Sequence, residues 1–193
     1  MNFFNRLRRS PLLSKSTSDT IFALSSAYIT LETKLGLKCT GSSAISLKAV
    51  DGMYFLTMKE DVRNFLNASR TDFELTYRIL TDTYGYLWVI IEGKNMEDIL
   101  AGVTAIGDII YERGFADNLL ATVFQFSSGT LDANTSSQYL IFNYKRNNFY
   151  PFVPLSQKNR DTEQEMKILS VVDRELRFEK DMSNWYPLWD IPL

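Results

Sequence analysis

The sequence predicts an α+β fold: an antiparallel sheet of about five strands with flanking helices, in the order α-β-α-β-β-α-β-β-α. Three observations lead there. Apolar residues recur every three or four positions in three separate windows, the spacing of helices with one buried face. Runs rich in β-branched and aromatic residues come in pairs with turn residues between them, which marks hairpins rather than parallel crossovers. Pro151 and Pro154 break up the last extended stretch, which confines it to a sheet edge. At 193 residues the chain is long enough for one domain that buries roughly 70% of its unfolded surface.

The first helical window is "SDTIFALSSAYITLETKLGL". Ile21, Leu24, Tyr28, Leu31 and Leu35 share a face, Ser18 or Asp19 can cap the start, and Gly36 can end it. "SSAISLKAVDGMYFLT" reads as strand, with Ile45 and Leu47 alternating against Ser46 and Lys48, then a turn at Asp51-Gly52. Val62, Phe65 and Leu66 suggest a short helix from Lys59 to Ala68. "FELTYRIL" and "YLWVIIEG" form a hairpin through Asp82, Tyr84 and Gly85. Asn95 opens a long helix with Asp98 at its positive end, an apolar stripe at Ile99, Val103, Ile106 and Ile110, and Gly114 as its stop. "LLATVFQF" pairs with "QYLIFNYK" across a polar break, and "FYPFVPL" follows as an edge strand or strap. A last helix runs from about Thr162 to Leu176 with Met166, Leu169, Val172 and Leu176 on one face. Residues 1–17 form a basic amphipathic arm, and 18–193 a single α+β domain ending in an aromatic tail. The sheet is expected to be covered on one face.

Composition narrows the chemistry. Lys and Arg total 21 against 23 Asp and Glu, a net charge of −2. A protein that gains affinity by neutralising many phosphates carries a basic excess, so no nucleic-acid partner is expected. The chain has one cysteine, Cys39, and no histidine. An internal disulfide and a CxxC site are thereby excluded, as is every Ser-His or Cys-His nucleophile. Glu60, Asp61, Glu97, Asp98, Glu163 and Glu165 are expected on solvated helix faces, and Glu112, Asp117 and Asp132 are no more distinctive. "GLKCTGSS" lacks the spacing of a phosphate loop. Lys38 beside Cys39 could lower the thiol pKa, but a lone cysteine without histidine is an ordinary small residue. The expectation is a non-enzyme with no catalytic residues, no metal and no cofactor. No apolar run reaches the ~20 residues of a membrane span, and the start is not a convincing signal peptide, so a cytoplasmic protein is expected.

Three stretches suggest contact surfaces. In the arm, Phe3, Phe4 and Leu7 cluster against Arg6, Arg8 and Arg9, a pattern suited to peripheral contact with an anionic membrane. "NYKRNNFYPFVPL" offers Tyr144, Lys145, Arg146, Phe149, Tyr150 and Phe152 as protein-interface candidates, though an edge hairpin explains the same residues. The tail "NWYPLWDIPL" adds Trp185, Tyr186 and Trp189, which either pack back on the sheet and the strap or form an interface.

"LETKLGL", "YGYLWVIIE", "GFADNLLATVFQF", "NYKRNNFYPFVPL" and "WYPLWDIPL" together resemble the PspA-associated protein family PspAB, in the same order over nearly the whole chain. The resemblance implies a cytoplasmic accessory factor in a phage-shock-type envelope stress response, acting by protein binding. It implies as partner a PspA-like coiled-coil protein or a membrane zinc protease of the HtpX kind, which it would regulate. The architecture is similar to type III secretion chaperones and YbjN-type folds, an analogy that carries no function by itself.

Overall fold

The computed structural model describes residues 15–72, 75–128 and 137–193. The Phe3–Arg9 membrane-contact candidates lie outside them. Helix α1 (Lys15–Phe22) continues into α2 (Leu24–Leu35) through Ala23, whose φ of −57° and ψ of −23° are themselves right-handed helical. Ile21, Leu24, Ala27 and Leu31 are buried along this rod. Ser18 and Asp19 fall inside it and do not cap it, because the helix already includes Lys15. Gly36 ends it as expected, at φ +66°, with its N–H donating to Glu32 O at 3.0 Å.

Strand β1 (Leu37–Lys48) leads to α3 (Met53–Asp72). Here the expected strand fails, because "MYFLT" opens a 20-residue helix. Phe55, Met58, Val62, Phe65 and Leu66 are all buried. Their helical period runs back to Phe55, and burial of that stripe overrides the β-forming composition. Strands β2 (Thr76–Thr81) and β3 (Tyr86–Glu92) form the expected hairpin. Asp82 Oδ1 accepts from the N–H groups of Tyr84 and Tyr86, both at 2.9 Å, and Gly85 takes φ +82°. Helix α4 (Met96–Glu112) begins at Asn95, whose side chain accepts from Asp98 N–H at 2.8 Å. It ends in a double cap across Gly114: Phe115 N–H donates to Ile110 O at 3.0 Å and Gly114 N–H to Tyr111 O at 2.9 Å.

Strands β4 (Leu119–Ser128), β5 (Gln138–Asn143) and β6 (Asn148–Phe152) form a meander, and α5 (Thr162–Val172) follows. The sheet has six strands, not about five, in the order β2-β3-β1-β4-β5-β6, every pair antiparallel. The extra strand is the proline-bearing strap, with Pro151 opposite Leu140 at the sheet edge. That edge is sealed by the returning chain. Phe149 N–H donates to Arg177 O and Glu179 N–H to Phe149 O, both at 2.8 Å.

Both faces of the sheet are covered, which corrects the expected single face. Ile45, Val89, Phe124, Leu140 and Phe142 meet the helices. Ala44, Trp88, Ile90, Val123, Ile141 and Tyr150 form a second core on the opposite side. The unbroken apolar runs in β3 and β5 are those of strands buried twice.

β1 changes register between Cys39 and Ser43, at Gly41 with φ +79°. Gly41 O accepts from Gly93 N–H at 2.8 Å, and an added Cβ would collide with Gly93 O. Gly41→Ala therefore combines an unfavourable φ with a backbone clash, and we expect it to lower stability by about 2–4 kcal/mol, measured by urea unfolding.

Candidate functional site at the face closed by the tail

The second face must be covered by something, and the C-terminal tail does it. From Glu179 onward the chain passes beside β6 and then across the strands. Trp185 is 3% exposed, and its indole N–H donates to Glu179 O at 3.0 Å. Tyr150 Oη donates to Tyr186 O at 3.0 Å, and the Trp189 ring meets Phe152 edge-on, centroids 5.1 Å apart. Leu188, Trp189, Ile191 and Leu193 pack half-buried on the second core. At the far edge Arg78 of β2 donates to Pro192 O at 3.5 Å. The tail turns at Trp189 and Asp190, where Asp190 takes φ +62°, before its end meets the Arg78 side chain.

Two charged groups fix the path. Arg160 Nε donates to both carboxylate oxygens of Glu165 at 2.9 Å; its Nη1 donates to Trp185 O at 2.8 Å and its Nη2 to Pro151 O at 3.3 Å. The guanidinium carbon stands 5.3 Å from the Phe152 ring centroid. Glu165 is fully buried and also accepts from Val153 N–H at 2.9 Å. Burial pushes the Glu165 carboxyl up, and the Arg160 guanidinium pulls against it without cancelling the shift. Farther out, Glu179 accepts from Arg146 Nη1 at 3.1 Å, from Asn148 Nδ2 at 3.2 Å and from Asp181 N–H at 3.0 Å. The Asp181 N–H leads the contacts that hold the Glu179 carboxyl below its ordinary 4.5.

The interface candidates divide. Phe149 and Phe152 have no exposed surface, Tyr150 has 2% and Trp185 3%. These four are corrected to packing groups, because no partner can touch them without opening the domain. Tyr144 is half-buried, its hydroxyl 2.9 Å from Thr122 Oγ1, and burial raises the phenol's pKa. Trp189 is half-buried under its contact with Phe152. Lys145, Arg146 and Tyr186 remain at the surface, and Arg146 Nη2 also donates to Asn184 at 2.8 Å.

Arg160, Glu165 and Glu179 were not singled out from the sequence, and Glu165 was expected in water. The stripe on α5 is turned by one residue: Ile168 and Val172 are buried while Met166 is 41% exposed. With Ile168 and Val172 as the stripe, helical spacing puts Glu165 on the same face, which was the available signal. Burial also raises the Cys39 thiol pKa, the reverse of the lowering that Lys38 suggested. Among the described residues no three His, Cys, Asp or Glu side chains are grouped to hold a metal, and no helix is long and apolar enough to cross a membrane.

The molecule is thus an α+β domain with helices on one face of an antiparallel sheet and its own aromatic tail on the other. Its sequence matches the profile of PspAB, PspA associated protein B, over residues 1–193, and the chain belongs to that family. No curated protein and no solved structure matched.

Removing the Arg160 side chain strands a buried carboxylate. Arg160→Ala is expected to cost about 3–5 kcal/mol in urea unfolding, whereas Arg160→Met combined with Glu165→Leu restores most of the loss. All three tryptophans, Trp88, Trp185 and Trp189, belong to this face, so intrinsic fluorescence reports its opening. Glu179 has a lowered folded pKa, so below pH 4.5 the unfolded chain binds the proton first. Its contribution is present above that pH and lost as the pH falls through the folded value. Acid titration of Glu179→Gln should show a shallower loss of the native tryptophan signal below pH 4.5 than the parent chain.

Proposed function

We propose that this protein is a non-catalytic interaction module, an accessory factor of a PspA-type membrane stress response whose partner is a PspA-like coiled-coil protein. The single observation that supports the reading is the full-length family match, since the family is described by association with PspA. The geometry fits that role. The large aromatics of the tail side are spent on closing the sheet, and a compact polar and aromatic surface remains around the β5–β6 turn.

That surface holds Lys145, Arg146, Asn184 and Tyr186. Arg146 is engaged with Glu179 and Asn184, while Tyr186 is 49% exposed and Lys145 projects into solvent. A half-exposed tyrosine beside basic side chains is a common anchor in protein interfaces. Acidic residues on a helical partner would meet Lys145 and Arg146, and the Tyr186 ring would supply the apolar contact.

Tyr186→Ala with Lys145→Ala is expected to weaken capture of the PspA-like partner at least about tenfold while leaving the urea midpoint unchanged. Capture at native strength by this double variant would remove the surface from the reading.

A further inference from the structure

The two edges of the sheet are finished differently. At β6 the returning chain occupies the N–H and C=O of Phe149, and Pro151 has no N–H to offer. At β2 the rim is bare. Asp82 N–H donates to Tyr86 O at 2.9 Å, which sets the phase of the β2–β3 ladder. The even-numbered residues of β2 exchange bonds with β3, so Tyr77, Ile79 and Thr81 turn their N–H and C=O groups outward. Among the described residues no group bonds them from that side.

Single edge strands are usually guarded by a proline, a bulge, a lysine or an inward charge. β2 reads "TYRILT", and its register with β3 runs unbroken from Thr76–Glu92 to Thr81–Leu87. Its one charge, Arg78, is turned back over its own sheet, with Nη2 3.8 Å from Glu92 Oε1 and 3.5 Å from Pro192 O. Tyr77 is also held back, its hydroxyl donating to Asn67 Oδ1 of α3 at 2.7 Å. Tyr77 and Ile79 pack half-buried on the helix side and Leu80 on the tail side. The side chains are committed to the two faces, and the backbone is left to pair.

The strand is complementary to itself. Two copies related by a two-fold axis run antiparallel, and outward groups must meet outward groups. A register centred on Arg78 would set two guanidinium groups directly opposite, which is destabilising. One centred on Leu80 would pair only Ile79 and Thr81 with each other and leave Tyr77 out. The register centred on Ile79 joins Ile79 to Ile79 and Tyr77 to Thr81 of the second copy, so every outward group of β2 finds a partner. It also matches the faces. The two Ile79 side chains meet on the helix side, while Arg78 lies opposite Leu80 of the second copy, with that copy's Asp82 next along the same face.

We propose that the β2 edge is a self-association surface, on which a second copy of this chain pairs its own β2 antiparallel and centred on Ile79, making one continuous sheet across two domains. The proposal goes beyond the coiled-coil reading and does not depend on it, because Lys145 and Tyr186 lie by β6 at the opposite edge. A six-residue strand is about 20 Å long and makes a small contact, so the dimer is weak and concentration-dependent.

Sedimentation equilibrium of the full chain from about 5 to about 300 µM should show a reversible monomer–dimer equilibrium in the micromolar range. Ile79→Pro, which deletes an outward donor that the fold does not use, should weaken association at least about tenfold with the urea midpoint unchanged. Thr81→Pro should do the same at an exposed position, and it decides the matter where Ile79→Pro fails to fold. In a Cys39→Ser background, bismaleimidoethane should join Ile79→Cys to its copy, since the two Cα atoms stand about 5.5 Å apart. Thr76→Cys, about 20 Å from its copy in this register, should not be joined. A monomer throughout, unchanged association in a folded proline variant, or equal cross-linking at the two positions would overturn the proposal. So would a monomer whose proline variants lose capture of the PspA-like protein, which would assign the edge to that partner.

Discussion

The Arg160 guanidinium is where edge strand, last helix and tail are joined. One planar group with its donors in a fixed fork bonds Glu165 on α5, Pro151 O on β6 and Trp185 O at the start of the crossing tail. The same group lies near the Phe152 ring that Trp189 covers. The sheet requires such a junction. Its strands are apolar on both sides, and the helices finish only one of them, so the remaining face needs a cover held in one register.

The work of closing and the work of aiming fall to different groups. Burying side chains the size of Trp185, Tyr150 and Phe152 contributes about 1.5–3 kcal/mol each, and this drives the tail onto the sheet. The buried Arg160–Glu165 pair contributes little net stability, because desolvation consumes most of its attraction. It disfavours displaced arrangements, since any shift of the tail leaves a buried charge or carbonyl without its partner. Glu179 repeats the device nearer the surface, tying Arg146 and Asn148 to the point where the tail begins.

What the sequence disclosed follows from the range of the interactions involved. The Asn95 cap, the Gly114 stop, the Gly36 stop and the Asp82–Gly85 turn are set by residues a few positions apart, and each reads directly from the chain. The α3 start did not, because "MYFLT" suits a strand locally and becomes helix only when Phe55 finds Phe115. Glu165 did not, because a glutamate on a short helix looks solvated until Arg160 and the Val153 N–H are brought to it. The site was half legible. Its aromatic clusters at Phe149–Phe152 and Trp185–Trp189 stood out, and so did the option that one packs on the other. Which rings would be spent inside the fold is decided by sheet order, which no local pattern contains.

The same division explains where contact surfaces can be. Phe149, Tyr150, Phe152 and Trp185 are consumed by the fold, so the surface proposed for the coiled-coil partner lies at a turn rather than on a sheet face. Lys145 sits where the β5–β6 hairpin turns, and Tyr186 lies beside it through Asn184, which accepts from Arg146 Nη2 and from the Tyr186 hydroxyl. On the proposed reading, the closed sheet is the rigid block that presents Lys145 and Tyr186 to a coiled-coil partner.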